Sequence, residues 1–186
     1  MLPYLDSEQR WISEGFAQYY QNVLLARAGQ YSTEDAWQNI QEGLERGRKS
    51  APGLSPNAAA VRGIGDTRMK VYCSGAALAL MADVELRQRS AGRDSLDTVL
   101  GEFEHCCLPS ARTWSGIELF SKLDEFLEQP IFMPLYRQHA DANAFPDVRP
   151  LLEKLGVLLE DGKVRLDDSA SLATLRQGIT RAATTH

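Results

Sequence analysis

Between Lys70 and Ser90 the chain leaves almost no room for a surface helix. From Ala76 to Ala82 every residue is apolar (Ala76-Ala77-Leu78-Ala79-Leu80-Met81-Ala82), and polar side chains return only at Asp83. A helix apolar on nearly all sides has to be surrounded. The spacing therefore predicts a central helix over about 70–90, ended by Gly92, with other amphipathic helices packed around it. The apolar run is too short to span a bilayer.

The flanking segments supply those helices. Ile12, Phe16, Tyr19 or Tyr20, Val23 and Leu24 follow a 3.6-residue period over about Ser7–Ala28, and Gly29 stands where a left-handed C-cap ends a helix. Ser32 with Asp35 opens a second helix carrying Trp37, Ile40 and Leu44 on one face, closed by the basic stretch Arg46–Lys49. Residues 50–66, rich in Pro, Gly, Ala and Ser, read as a long functional or mobile loop. Asp94 or Ser95 caps a helix through Phe103. Ser115 with Glu118 opens one through Phe126, broken at Pro130. Phe132, Leu135 and Tyr136 mark another, and Pro150 begins one stopped by Gly156. Val157–Glu160, Asp161-Gly162 and Lys163–Leu166 read as a β-hairpin with a tight turn. A last weak helix after Ser169 is expected to fray toward His186. The fold class is thus mostly α, a helical bundle with one small hairpin near the C-terminus, read as a single domain over 1–186.

Bulk properties exclude several function classes. The chain has 186 residues, is 44% hydrophobic and carries a net charge of −5 with acids and bases interspersed. That pattern offers no basic footprint for nucleic acid or an anionic membrane surface. Three cysteines, Cys73, Cys106 and Cys107, include no CxxC. Neighbouring cysteines rarely bond, so all three are expected to be reduced and mostly buried. No basic segment followed by an apolar run begins the sequence, so the chain as it stands reads as cytoplasmic.

Two constellations could carry chemistry. The first is Trp11-Ile12-Ser13-Glu14-Gly15-Phe16-Ala17-Gln18-Tyr19-Tyr20, with one acid near the start of an aromatic helix. Glu14 can simply favour the helix N-terminus or join a salt bridge, with Arg62 and Arg68 as candidate partners. A carboxylate among apolar side chains otherwise needs a metal, a base or several donors. The second is Val71-Tyr72-Cys73-Ser74-Gly75-Ala76, where Tyr72 is either an aromatic anchor or a neutral hydrogen-bond donor at pH 7.

Both constellations resemble gluzincin metallopeptidases. The pattern W-[apolar]-x-E-G-[apolar]-[small]-x-[YF]-[YF] resembles the helix that gives zinc its third, glutamate ligand. Tyr-x-x-Gly-Ala resembles the segment whose tyrosine stabilises the tetrahedral oxyanion, although Ser74 stands where those enzymes usually have Lys. Leu80, Asp83 to Arg87, then Ser95-Leu96-Asp97, narrows the resemblance to glycyl aminopeptidases, spanning about residues 8–157. It implies the helical C-terminal half of a thermolysin-like catalytic domain, with Glu14 as a zinc ligand, Tyr72 as the catalytic donor, and zinc as cofactor by resemblance only. Asp83, Arg87 and Asp97 are read as structural.

The resemblance also implies what these 186 residues lack. A catalytic zinc takes three protein ligands, and His-Glu-x-x-His supplies two of them one turn apart. Here His105, His139 and His186 have no His four residues away. Glu104-His105-Cys106-Cys107 would point in different directions on a helix. His139 reads as a surface or helix-end residue. The expectation is a partial, aminopeptidase-like domain without activity or zinc of its own, taking a peptide substrate only when an HExxH-bearing segment completes it. The alternative is a non-catalytic helical interaction module that self-associates or binds a partner chain through exposed apolar surface.

Overall fold

A computed structural model describes residues 2–63 and 65–181. Within them, one 3-10 turn (Ser7–Gln9) leads into α1 (Arg10–Arg27), followed by α2 (Thr33–Lys49), α3 (Pro56–Arg62) and α4 (Arg68–Arg89). Then come α5 (Leu96–Cys107), α6 (Gly116–Asp124), α7 (Phe132–His139) and α8 (Arg149–Lys154). Strands β1 (Val157–Glu160) and β2 (Lys163–Leu166) form the hairpin, and α9 (Ala173–Thr180) closes the order. The fold is mostly α, as the periodicity indicates.

α4 is the hub. Val71, Ala77, Leu78, Ala79 and Leu80 are fully buried, and α1, α2, α3, α5, α7 and α9 all contact it. Gly15 meets Gly75, and further along Tyr19 meets Asp83, so α1 and α4 run side by side in the same sense. A Cβ on Gly15 would stand 2.2 Å from the Cα of Gly75, and one on Gly75 would stand 2.1 Å from the Trp11 carbonyl oxygen. No side chain fits between these backbones. A second close approach holds α2 to α4, where a Cβ on Gly47 would lie 2.3 Å from that of Cys73. Phe120 of α6 ties α1 to α7, its ring centroid 6.2 Å from Phe16, 5.8 Å from Phe132 and 5.7 Å from Tyr136. Offset and edge-on aromatic packing at such separations adds to the burial of area.

Serines punctuate the helices. Ser32, Ser55, Ser95 and Ser115 each accept from a backbone N–H in the first turn of α2, α3, α5 and α6. The stretch 50–66 is therefore not one long loop. Ser55 as N-cap and Pro56 at the first helical position open α3 inside it, a start signal that the Pro, Gly and Ala content masked. The helix begun at Ser115 stops at Asp124, short of Phe126. The Asp124 carboxylate turns away to accept the N–H groups of Ile131, Phe132 and Met133 and caps α7 from outside.

The hairpin pairs Val157 with Leu166 and Glu160 with Lys163, and Asp161 (φ 49°) and Gly162 (φ 79°) make a left-handed two-residue turn. Arg176 of α9, almost fully buried, donates to the carbonyls of Leu155, Gly156 and Asp167 and to the Asp168 carboxylate. Arg27, at the other end of α1, donates to the Ile179 carbonyl at 2.8 Å. The expected fraying near His186 concerns residues outside those described. Among the described residues no helix is long and apolar enough to cross a membrane.

Two sequence expectations need correction. Cys106 and Cys107 are joined by a disulfide in the last turn of α5, where the chain leaves the helix at Leu108; only Cys73 is a free thiol. Burial pushes the Cys73 thiol up to about 11, so it stays protonated. His139 does end a helix, but it is buried at 8% exposure, and its Nε2 has no hydrogen-bond partner. Burial lowers its pKa. The unfolded chain therefore takes up the proton first, and stability is lost as pH falls from about 6.5 toward the lowered folded value. Urea midpoints measured from pH 7 to pH 5 are expected to fall in the wild type and to fall less in His139→Gln. Parallel slopes would show that His139 does not titrate in this window.

Candidate functional site

The Gly15–Gly75 contact sets the geometry of the site. Glu14 precedes Gly15 on α1, and Tyr72 lies one turn before Gly75 on α4. With both helices running in the same sense at backbone contact, the two half-buried side chains come out beside each other. Residues far apart in the chain are thus neighbours because two glycines let their helices touch.

Burial, and after it the adjoining Glu14 carboxylate, push the Tyr72 phenol above its ordinary range, while Arg68 and Arg10 pull the other way. Tyr72 is consequently a neutral donor at pH 7. The Arg68 guanidinium lies over its ring, 5.6 Å from the centroid. Arg10, one turn before Glu14, turns aside: its Nη2 donates to the Ala60 carbonyl at 2.9 Å, and its Nε is buried without an acceptor. Ser74, beside the glycine contact, is fully buried and its Oγ is also unpartnered.

A salt bridge from Glu14 to Arg62 or Arg68 does not form. Among the described residues Glu14 has no cationic nitrogen within 4.0 Å. Its neighbour is a phenol rather than a base. Arg10 belongs to neither sequence constellation, although its spacing to Glu14 places it on the same helix face.

Asp83, Arg87 and Asp97 gather elsewhere, at the far end of the α1–α4 seam. Asp83, 2% exposed, accepts from the Tyr19 hydroxyl at 2.7 Å, Arg87 Nε at 3.0 Å and the Leu96 backbone N–H at 2.8 Å. Asp97 accepts from the Tyr20 hydroxyl at 2.9 Å and from both terminal nitrogens of Arg27. Burial works to raise the Asp97 pKa, but the Arg27 bonds and charge outweigh it and hold the carboxyl below its usual range. These are bracing contacts that fasten α5 to α1 and α4.

Zinc requires more donors than this arrangement has. Among the described residues no three His, Cys, Asp or Glu side chains gather into a metal-holding group. Glu14 alone stands where the resemblance puts a ligand, and three protein ligands are needed. His105 and the disulfide-bonded Cys106 and Cys107 form no such cluster either. These residues alone do not fit a zinc ion.

Comparison with known proteins agrees with the peptidase-like reading at the level of the family. Residues 4–73 match the family model of M61 glycyl aminopeptidase. The matched segment begins before α1 and ends just after Tyr72, so it contains both Glu14 and Tyr72. No curated protein and no solved structure matches the chain. The resemblance to a glycyl-aminopeptidase-type, metallopeptidase-like domain therefore rests on the N-terminal portion, and Asp83 to Asp97 lie beyond it.

Proposed function

We propose that this chain is the helical part of an aminopeptidase-like domain, contributing Glu14 as the acidic arm and Tyr72 as the phenol donor. On this reading the 186 residues act as one domain, with the peptidase-like region over about 8–157. They hydrolyse no peptide until an HExxH-bearing segment faces Glu14. The observation that supports it is the juxtaposition of Glu14 and Tyr72 across the glycine contact, within the segment matched by the family model. A neutral phenol near the substrate can donate to the oxyanion formed at a peptide carbonyl, where charge appears only as the reaction proceeds.

The purified chain is expected to hold no stoichiometric zinc and to release no fluorophore from glycyl or alanyl aminoacyl substrates. Turnover by the chain alone, lost in Tyr72→Phe and in a chelator, would overturn the requirement for a further segment.

One observation favours the second reading, a non-catalytic interaction module. A groove of about 530 Å³ runs between α1 and α5, lined largely by Phe16, Ala17, Tyr20, Leu24 and Leu100, and Leu24 is 52% exposed. Open apolar surface of this kind is commonly covered by another chain or by a second copy. Sedimentation equilibrium distinguishes the two, since a chain monomeric at every concentration counts against self-association.

A further inference from the structure

α5 carries a glycine that its own fold leaves unused. Gly101 stands mid-helix, where glycine costs stability relative to alanine because the chain has more freedom to lose on folding. Among the described residues, a Cβ on every other glycine within a helix would meet a neighbouring atom within 4 Å, most closely at Gly15 and Gly75, where backbones touch. A Cβ on Gly101 would meet nothing. Its backbone lies outside the left-handed region, so no turn requires a glycine there either.

The open space beside Gly101 is the groove between α1 and α5. Phe16, Ala17, Tyr20 and Leu24 line one wall, and Leu100 and Gly101 line the other. Ala17 and Gly101 are small and exposed, with larger apolar side chains next to them. Such a surface receives the side-chain ridges of another helix and lets its backbone come close at the glycine. α5 has 12 residues, about 18 Å of helix, so a partner helix of about 14 residues covers the groove.

Charge around the groove selects the kind of helix. α5 carries Asp97, Glu102 and Glu104 and no Lys or Arg. Asp97 is taken by Tyr20 and Arg27. Glu102 and Glu104 are exposed, and neither has a cation within 4.0 Å among the described residues. The α1 residues that line the groove are uncharged, and Arg27 is spent on Asp97 and the Ile179 carbonyl. An apolar floor thus has an uncompensated acidic border. A second copy seated by α5 would set these acids against their own kind, in a chain whose net charge is already −5.

We propose that the α1–α5 groove seats a basic amphipathic helix from a partner chain. Its apolar side chains enter between Tyr20, Leu24 and Leu100, its backbone lies against Gly101, and its Lys or Arg side chains pair with Glu102 and Glu104. The inference rests on the interaction-module reading and adds the chemistry of the partner.

The test is fluorescence anisotropy of the whole chain with a labelled model helix of about 14 residues, built of alanine, leucine and lysine with the leucines on one face. Saturable binding is expected, with a Kd of about 10 μM. The same peptide with glutamate for every lysine is expected to bind at least about tenfold more weakly. Gly101→Leu, which fills the groove, is expected to weaken the lysine peptide by a similar factor without lowering the thermal midpoint of the chain, because the new side chain enters open space. Glu102→Gln with Glu104→Gln is expected to weaken binding and flatten its dependence on salt. Equal binding of the two peptides, unchanged binding by Gly101→Leu, or no saturation by about 500 μM would overturn the proposal. Sedimentation equilibrium then separates its failure from that of the reading beneath it. A dimer that Gly101→Leu abolishes would replace the basic partner with a second copy and keep the interaction reading. A chain that neither binds the peptide nor self-associates would overturn both.

Discussion

Replacing Asp83 with Ala is expected to cost about 3–5 kcal/mol, the loss typical when one partner of a buried ion pair is removed. The substitution weakens or strands three groups at once. Arg87 loses its hydrogen-bonded carboxylate and keeps only that of Asp97 at 3.7 Å, the Tyr19 hydroxyl loses its acceptor, and the Leu96 N–H at the start of α5 is left without a partner. Each is buried or nearly so, and an unsatisfied buried donor carries its full desolvation penalty. For a chain of this length the midpoint of thermal unfolding should fall by roughly 6–20 °C. Asp83→Asn keeps an acceptor oxygen in a similar shape and should cost less. Calorimetry of both variants decides the matter, and an Asp83→Ala midpoint within a degree or two of the wild type would refute the bracing role.

Gly15→Ala carries the next largest effect, and it reaches the site as well as stability. The new methyl would stand 2.2 Å from the Gly75 Cα and 2.5 Å from the Ala76 nitrogen. These are backbone atoms that no rotamer change can remove, so α1 and α4 must move apart. Overpacking of this kind costs about 3 kcal/mol. Moving the helices apart also separates Glu14 from Tyr72. The phenol should then titrate closer to its ordinary value, because one cause of its upward shift is withdrawn. Ultraviolet titration of Gly15→Ala against a Tyr72→Phe reference measures that change, and an unchanged Tyr72 titration would mean that the glycine contact does not set the spacing. Gly101 provides a control, since a Cβ there meets nothing within 4 Å.

The helices were legible in the sequence where burial and start signals agreed. The apolar run from Ala76 to Ala82 identified the central helix because no other arrangement hides it. Gly29, Gly92 and Gly156 lie in the left-handed region at the ends of helices, as their spacing indicated. Asp161-Gly162 fixed the hairpin for the same conformational reason. α3 is hidden by the Pro, Gly and Ala content around it, although the Ser55-Pro56 pair is a local start signal. The early end of α6 was invisible because Asp124 caps a helix later in the chain, a tertiary contact that no local pattern encodes.

The site was legible in part. The pattern around Gly15 and Gly75 marked two close approaches, but a single sequence does not say that the two glycines approach each other. No local pattern marks Arg10, because its position depends on the Ala60 carbonyl, which lies on α3 within a stretch of loop-like composition. Neighbouring cysteines rarely bond, which argues for reduced thiols at Cys106 and Cys107, whereas the pair is joined in the last turn of α5, where the helix ends.

α9 is fastened at two separate places by two arginines. Arg176 reaches from it to the root of the hairpin, and Arg27 reaches to it from α1. The hairpin is also moored by Val157, Val164 and Leu166 on the core and by Gln38 of α2, which accepts from the Val164 N–H and donates to the Gly162 carbonyl. Loosening α9 would thus release the hairpin root and unload the Arg27 side chain that also clasps Asp97. The hairpin root, α9 and the Arg27–Asp97 clasp are therefore linked in series, so a change at α9 reaches the α1–α5 bracing contacts before Glu14 and Tyr72.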